Sequence, residues 1–136
     1  MKIKLDTYGK MPTRKHATDA GLDLYAVDND VIFSGQSTVF RTGVHVQLPS
    51  GTVGFIKSRS GLMVNHGITT DGVVDEGFTG EIKVALFNHG TRPYQVNRGD
   101  RIAQLVVLKT YYVDCEQVDE LDDSERGDNG YGSTGK

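Results

Sequence analysis

Five stretches of this chain set polar or charged residues into apolar or glycine-rich surroundings. "AGLDLYA" (20–26) places Asp23 between two leucines, and "GFIKSRSGL" (54–62) ends a strand-like run in Arg59-Ser60-Gly61. "DGVVDEGFTGEI" (71–82) sets Asp75 directly after two valines, and "GDRIAQL" (99–105) puts Gln104 inside an apolar run. "RGDNGYGSTGK" (126–136) mixes Arg126, Tyr131, Ser133 and Thr134 with glycines. Guanidinium groups and the backbone N–H groups of glycine-rich turns bind phosphate. A carboxylate can orient a water molecule and take its proton. Residues 130–136 also read G-x-x-x-x-G-K, the opening of a P-loop, but that motif needs a strand before it and a helix after it. The sequence offers neither there.

Each stretch also has an ordinary structural reading. Asp23 alone is a turn former or an ion-pair partner, and Ser60 alone is a helix N-cap. The Asp75 stretch reads as a hairpin whose carboxylate bonds its own turn. Gln104 reads as a solvent-facing strand residue. The adhesion-like tripeptide Arg126-Gly127-Asp128 is an accidental match in a chain without a secretion signal.

The elements that must position these residues are strands. "VHVQL" (44–48) and "EIKVALFN" (81–88) alternate apolar and polar residues, which predicts half-buried strands, the second with Ile82, Val84 and Leu86 on one face. "RIAQLVVL" (101–108) has the β-branched content of a central strand, and "MKIKL" predicts an N-terminal one. "DVIFSGQSTVF" (30–40) predicts a hairpin about Ser34-Gly35. The one helix candidate is short, "SGLMVNHG" (60–67). Many short strands with regular turn signals predict an all-β sandwich, jelly roll or barrel. After residue 118 the chain turns acidic and then glycine-rich with no apolar period, which predicts a flexible arm at 119–136.

At 136 residues the chain suits one domain. A net charge of −3 disfavours a general nucleic-acid surface, so a polyanionic ligand needs a local cluster of positive groups. No apolar run predicts a membrane span, and "MKIKLDTYGK" lacks the apolar stretch of a signal peptide. The single cysteine, Cys115, is expected to be a small buried or edge residue in a reducing cytoplasm.

Taken together, "AGLDL", "RSGL", "GVVDEGFTGEI", "GDRIAQL" and "RGDNGYGSTG" resemble, in order and spacing, the five motifs of the trimeric deoxyuridine triphosphatase family. The resemblance covers most of the chain from Ala20 onward. It implies a jelly-roll-like (β-clip) catalytic domain over 1–118 and hydrolysis of dUTP to dUMP and pyrophosphate. It also implies a homotrimer in which the arm of one subunit closes over a site built by two others.

The resemblance assigns roles residue by residue. Asp75 is the water-orienting general base for in-line attack on the α-phosphate. Arg59, the backbone of Ser60 and Gly61, Gln104 and Arg126 bind phosphate. Gly132, Ser133 and Thr134 of the arm take the terminal phosphate, and Tyr131 stacks over uracil in place of the family's common phenylalanine. Asp71, Gly72, Val73 and Val74 line a uracil slot, read as a hairpin. Phe78 stands where the family usually has tyrosine and packs against deoxyribose without the phenol. Magnesium, Mg2+, bridges the phosphates, with Asp23 contacting it through water, and no all-protein magnesium cage is expected.

Two rivals follow from the same fold. Deoxycytidine triphosphate deaminase needs an extra carboxylate near the cytosine amine, where this chain has "KVALFN" (83–88). A non-catalytic homologue that binds a regulatory protein needs surface inserts, and none is visible in this compact sequence.

Overall fold

Alternation over 81–88 points Ile82, Val84 and Leu86 to one side, and all three are buried in the computed structural model, which describes residues 1–128. The elements run β1 (Lys2–Leu5), β2 (Gly21–Tyr25), β3 (Asp30–Ile32), β4 (Ser37–Gln47), β5 (Thr52–Lys57), α1 (Ser60–His66), β6 (Ile68–Thr69), β7 (Asp71–Val74), β8 (Glu81–Asn88), β9 (Tyr94–Val96) and β10 (Arg101–Lys109). One sheet has the order β1-β4-β8-β6, a second β2-β10-β5-β7, and β3 pairs with β9 in a small ribbon. Every pairing is antiparallel.

The two large sheets face each other across one apolar core. Phe40, Val46, Ile82, Val84 and Leu86 come from the first; Leu24, Ile56, Val74, Ile102 and Leu105 come from the second; Ile32 and Val96 of the ribbon close one end. Burying a side chain of this size is worth roughly 1.5–3 kcal/mol, so this seam holds the strands whose ends carry the polar residues. As expected, β10 is central, flanked by β2 and β5.

Residues 30–40 do not form the predicted hairpin. β3 pairs with β9 while β4 pairs with β1 and β8, so the two arms join different sheets. Buried Asn88 shows why. The Gly35 N–H donates to the Asn88 carbonyl at 2.8 Å, and the Asn88 N–H donates to Gln36 O at 2.9 Å. The Asn88 side-chain amide donates to the carbonyls of Ile32 and Arg92, both at 2.8 Å, and its Oδ1 accepts from the Gly90 N–H. The turn closes locally, the Gln36 N–H donating to Phe33 O at 3.0 Å, but the Gly35 amide and the Gln36 carbonyl tie it to the end of β8, so its two arms separate into different sheets. The 72–74 stretch is likewise no hairpin. It is strand β7, paired with β5, and the chain then crosses to β8 in the other sheet.

Helix α1 forms where expected, but Ser60 is not its cap. Arg59 is the N-cap residue, with extended backbone and no side-chain cap bond. Gly67 ends the helix at φ 68°, its N–H donating to Met63 O at 3.0 Å, and a Cβ there would lie 2.9 Å from the Gly90 nitrogen. Only glycine satisfies both demands. Cys115 is exposed rather than buried or at a strand edge, because 111–128 runs over the surface. Among the described residues no helix is long and apolar enough to cross a membrane.

Candidate active site

Three clefts divide the residues that the sequence singles out. The first, about 430 Å³, lies where β2, β10 and the β5–α1 junction meet and collects Asp23, Arg59, Ser60, Gly61 and Gln104. The register explains the meeting: β10 lies between β2 and β5, with Gln104 opposite Asp23 on one side and Lys57 on the other.

The carboxylate of Asp23 is 16% exposed and takes two arginines. Arg59 Nε donates to Oδ1 at 3.0 Å, and Arg101 Nη1 donates to Oδ2 at 3.1 Å. Arg59 Nη1 also reaches the Arg101 carbonyl at 3.2 Å. These bonds hold the Arg59 guanidinium in place and leave its other donors available. Gln104 Nε2 donates to Ser58 O at 3.0 Å, so this residue is half-buried and tethered rather than simply facing solvent. In α1, the N–H groups of Leu62 and Met63 both donate to Arg59 O, and those of Ser60 and Gly61 precede the helical ladder.

Sequence reasoning did not single out Arg101, Lys15, His16 or Asp19, which share the cleft. Arg101 sits inside the "GDRIAQL" stretch and could have been found there. Lys15 and His16 carry no motif signal; they reach the cleft because Asp19 folds the loop. Its Oδ2 accepts from the His16 N–H at 2.9 Å, and Arg14 Nε donates to its carbonyl at 2.7 Å. The His16 backbone bond, with the nearby imidazole, holds the Asp19 carboxyl below its usual range.

The second cleft, about 260 Å³, is lined by Asp71, Gly72, Val73, Val74 and Phe78 with Glu81, Lys83 and Ala85 of β8. The ring of Phe78 lies across Gly80, where an added Cβ would fall 2.6 Å from Cζ. Lys57 Nζ pairs with Asp71 across the β5–β7 ladder, and this bond keeps the Asp71 carboxyl below its usual range.

Asp75 opens on a third cleft, with Val53, Thr52, Glu76 and Tyr112. Its own carbonyl accepts from the Phe78 N–H at 3.1 Å, closing the turn. The neighbouring Glu76 ties that turn to the body: Oε2 accepts from Tyr112 Oη at 2.5 Å and from the Gly51 N–H at 2.8 Å. The phenol bond chiefly, then the Gly51 amide, lowers the Glu76 pKa, and the same bond raises that of Tyr112. Arg126 lines none of these clefts. Tyr131, Gly132, Ser133 and Thr134 lie outside the described residues.

The dUTPase family model matches residues 7–135 of the sequence. This chain belongs to the dUTPase family. It is 47% identical over 138 residues to the deoxyuridine 5'-triphosphate nucleotidohydrolase of Corynebacterium glutamicum, covering 98% of this chain and 93% of the relative. It is 42% identical to the Clostridioides difficile enzyme of the same name, covering 97% and 94%. The fold superposes on the dUTPase of Staphylococcus bacteriophage 80alpha solved with dUpNHpp, with a TM-score of 0.92, 29% identity and coverage of 99% and 98%. A dUTPase of phage phi11 of S. aureus, described as coordinating a structural Mg(II) ion, superposes with a TM-score of 0.82 at 27% identity, covering 90% of this chain and 98% of that one. The expected all-β, jelly-roll-like dUTPase fold is therefore the fold of this chain, and the chain is an enzyme of this family.

The described residues contain no group of three or more His, Cys, Asp or Glu able to hold a metal ion. Both oxygens of Asp23 already accept from arginines. Among the described residues of one chain, this donor set does not fit direct coordination of a magnesium ion.

Proposed function

We propose that the chain hydrolyses dUTP to dUMP and pyrophosphate at sites shared between subunits of a homotrimer. The observation that carries this reading is the division of the polar determinants. Cations and amides suited to phosphate occupy one cleft, a smaller slot between β7 and β8 with the Phe78 ring another, and Asp75 a third. A single cleft of one chain offers no place where all three meet one nucleotide. A neighbouring subunit brings them together if its phosphate cleft faces this chain's Asp75 and β7.

In such a site the nucleoside lies against β7. The backbone of 72–74 reads the uracil edge, and the Phe78 ring lies against deoxyribose, leaving no polar partner for a ribose 2′-hydroxyl. Arg59 stabilises charge on the phosphates, and Asp23 spares it the entropy of finding its position. Gln104 and the N–H groups of Ser60 and Gly61 add donors without adding charge. Asp75 orients a water in line with the α-phosphate and takes its proton as the P–O bond to pyrophosphate breaks. Residues 126–134 of a third subunit supply Arg126, Tyr131, Gly132, Ser133 and Thr134. Magnesium bound with the triphosphate would neutralise part of its charge, and Asp23 is the residue that would contact it through water.

Subunit complementation tests this reading. Asp75→Asn and Arg59→Ala homomers should each release little pyrophosphate from dUTP. Mixed in equal amounts through a denaturation and refolding step, they should regain activity at about one site in four, because a site then needs the intact residue from two different chains. No recovery in mixed trimers would show that both residues act from one chain. Pyrophosphate release from dTTP, dCTP and UTP, measured beside dUTP, checks the base and sugar preferences.

A further inference from the structure

The turn at 75–80 carries the proposed base at one end and the Phe78 ring in its middle, and its second half is held by one side chain. His45 of β4 sits opposite Glu81, the last register pair of β4 with β8, so Thr79 and Gly80 lie beyond the ladder. His45 Nδ1 is 2.9 Å from the Thr79 carbonyl oxygen, and Nε2 is 3.0 Å from Asp6 Oδ2. A carbonyl and a carboxylate both accept, so both ring nitrogens must donate, and only the imidazolium does so. The ring is 18% exposed, which limits competition from water.

Other charges around it come from three strands. Lys4 of β1 faces His45 in the register and lies 3.9 Å from Asp6. Glu81 of β8 is directed to Arg41 Nε and the Gly43 N–H. Lys2 lines the same shallow surface groove as His45 and Thr79.

We propose that His45 is a positioning residue for deoxynucleoside recognition: its imidazolium, braced by Asp6, holds the Thr79 carbonyl and thereby the Phe78–Gly80 wall of the slot beside β7. The inference rests on the assignment of that slot to the deoxynucleoside. Because the Phe78 ring lies on Gly80, a shift of the Thr79 carbonyl moves the surface on which the ring rests. Loss of one His45 proton leaves a ring lone pair facing one of two acceptors; the charge-assisted bond to the Asp6 carboxylate keeps the remaining proton on Nε2, so the bond to the Thr79 carbonyl is the one lost. The Asp6 hydrogen bond, then the Thr79 carbonyl, raises the His45 pKa, with burial and Lys4 opposing. The bridge is therefore complete at low pH and lost as pH rises through that raised pKa.

The test compares the wild type with two variants that differ in whether a donor remains at the Nδ1 position. His45→Asn places an amide N–H where Nδ1 stood and keeps the Thr79 bond at every pH; His45→Ala keeps nothing. The wild-type KM for dUTP should rise about three- to tenfold as pH passes the His45 titration, with kcat unaffected relative to His45→Asn. His45→Asn should hold the low KM across the range, and His45→Ala the high one. Imidazole 15N shifts of the wild type, assigned by the signal missing from His45→Asn, should show both nitrogens protonated at low pH. The backbone amides of Thr79 and Gly80 should titrate with them. The same KM profile in all three proteins, or turn amides that ignore the His45 titration, would overturn the proposal. Phe78→Ala serves as the separate control: if it leaves KM and the dUTP/UTP preference unchanged, the assignment of the slot fails, while the 15N result still decides whether the bridge exists.

Discussion

Replacing Gly21 by alanine is a change of one methyl group that should disable Gln104. Gly21 opens β2 opposite Val106 of β10, two residues beyond Gln104 on the neighbouring strand. An ideal Cβ on Gly21 falls 2.1 Å from Gln104 Oε1 and 2.9 Å from its Cδ. No contact that short survives, so the glutamine must rotate. Rotation takes Nε2 off the Ser58 carbonyl, now at 3.0 Å, and changes what the amide presents to the cleft it shares with Arg59. The lost bond costs about 1 kcal/mol and an unfavourable rotamer about 0.5–1.5 kcal/mol. The reduced freedom of the unfolded chain returns about 0.4–1 kcal/mol. Gly21→Ala should therefore destabilise by roughly 0.5–2 kcal/mol, a few degrees in melting midpoint for a chain of this size. Gln104→Ala removes the atoms that collide, leaving only the Gln104 Cβ at 3.0 Å. In that background the remaining Cβ–Cβ contact still has to be eased by a few tenths of an ångström, so Gly21→Ala should cost less than in the wild type rather than nothing. A double-mutant cycle at fixed protein concentration should then show a coupling of up to about 2 kcal/mol. For dUTP turnover, the double variant should be no worse than Gln104→Ala. Equal destabilisation by Gly21→Ala in both backgrounds would refute the steric argument.

Asp75→Asn keeps the shape of the side chain but removes the proton acceptor, so turnover should fall by roughly two to four orders of magnitude while a non-hydrolysable dUTP analogue still binds; near-normal turnover would remove Asp75 from the role. Glu76 has a folded-state pKa below its unfolded value, so it contributes stability above the unfolded pKa and loses it as pH falls through the folded one. Tyr112→Phe removes the largest cause of that shift, and acid titrations of stability should show a shallower decline for the variant than for wild type. Among the described residues, deleting 125–136 takes away none that is buried, 125–128 all being exposed, so the melting midpoint should be retained while dUTP turnover falls by orders of magnitude. Full turnover by the truncated chain would return 126–136 to an unexplained tail.

Strands were legible wherever their residues alternate against one core. Ile82, Val84 and Leu86 are read from period alone because that side of β8 faces a single apolar layer. Residues 30–40 and 72–75 were misread because turn chemistry is local and sheet membership is not. Ser34-Gly35 is a genuine turn, but its Gly35 amide and Gln36 carbonyl bond Asn88, more than fifty residues away. Gly72 and Val73 look like a hairpin bend, yet β5 offers them a ladder that a local turn cannot match. Ser60 has the chemistry of a cap, but the backbone enters the helix one residue earlier, at Arg59. Cys115 was read from the general habit of cysteine to be buried; nothing in its segment packs on the core.

The candidate site was marked by motif order, not by the chemistry of any one residue, and its geometry shows why. The ordinary reading of Asp23 as an ion-pair partner is correct: it binds Arg59 and Arg101, 36 and 78 residues ahead in sequence. Gln104 is likewise a structural residue, bonded to Ser58 O. Neither observation competes with a role toward phosphate. Arg59 spends Nε on Asp23 and one Nη1 hydrogen on the Arg101 carbonyl, and a guanidinium has further donors in the same plane. Fixing those two bonds in the fold removes rotamer freedom that substrate would otherwise have to freeze, about 2 kcal/mol for a free arginine. A residue can therefore look ordinary in isolation because its structural bonds are what prepare it for the ligand. The same logic extends to Asp19, whose carboxylate has no evident part in chemistry but shapes the loop that carries Lys15 and His16 to the cleft. Single-sequence reasoning finds the residue that meets substrate when a motif marks it; the residue that holds it in place is marked only by its distance to a partner far along the chain.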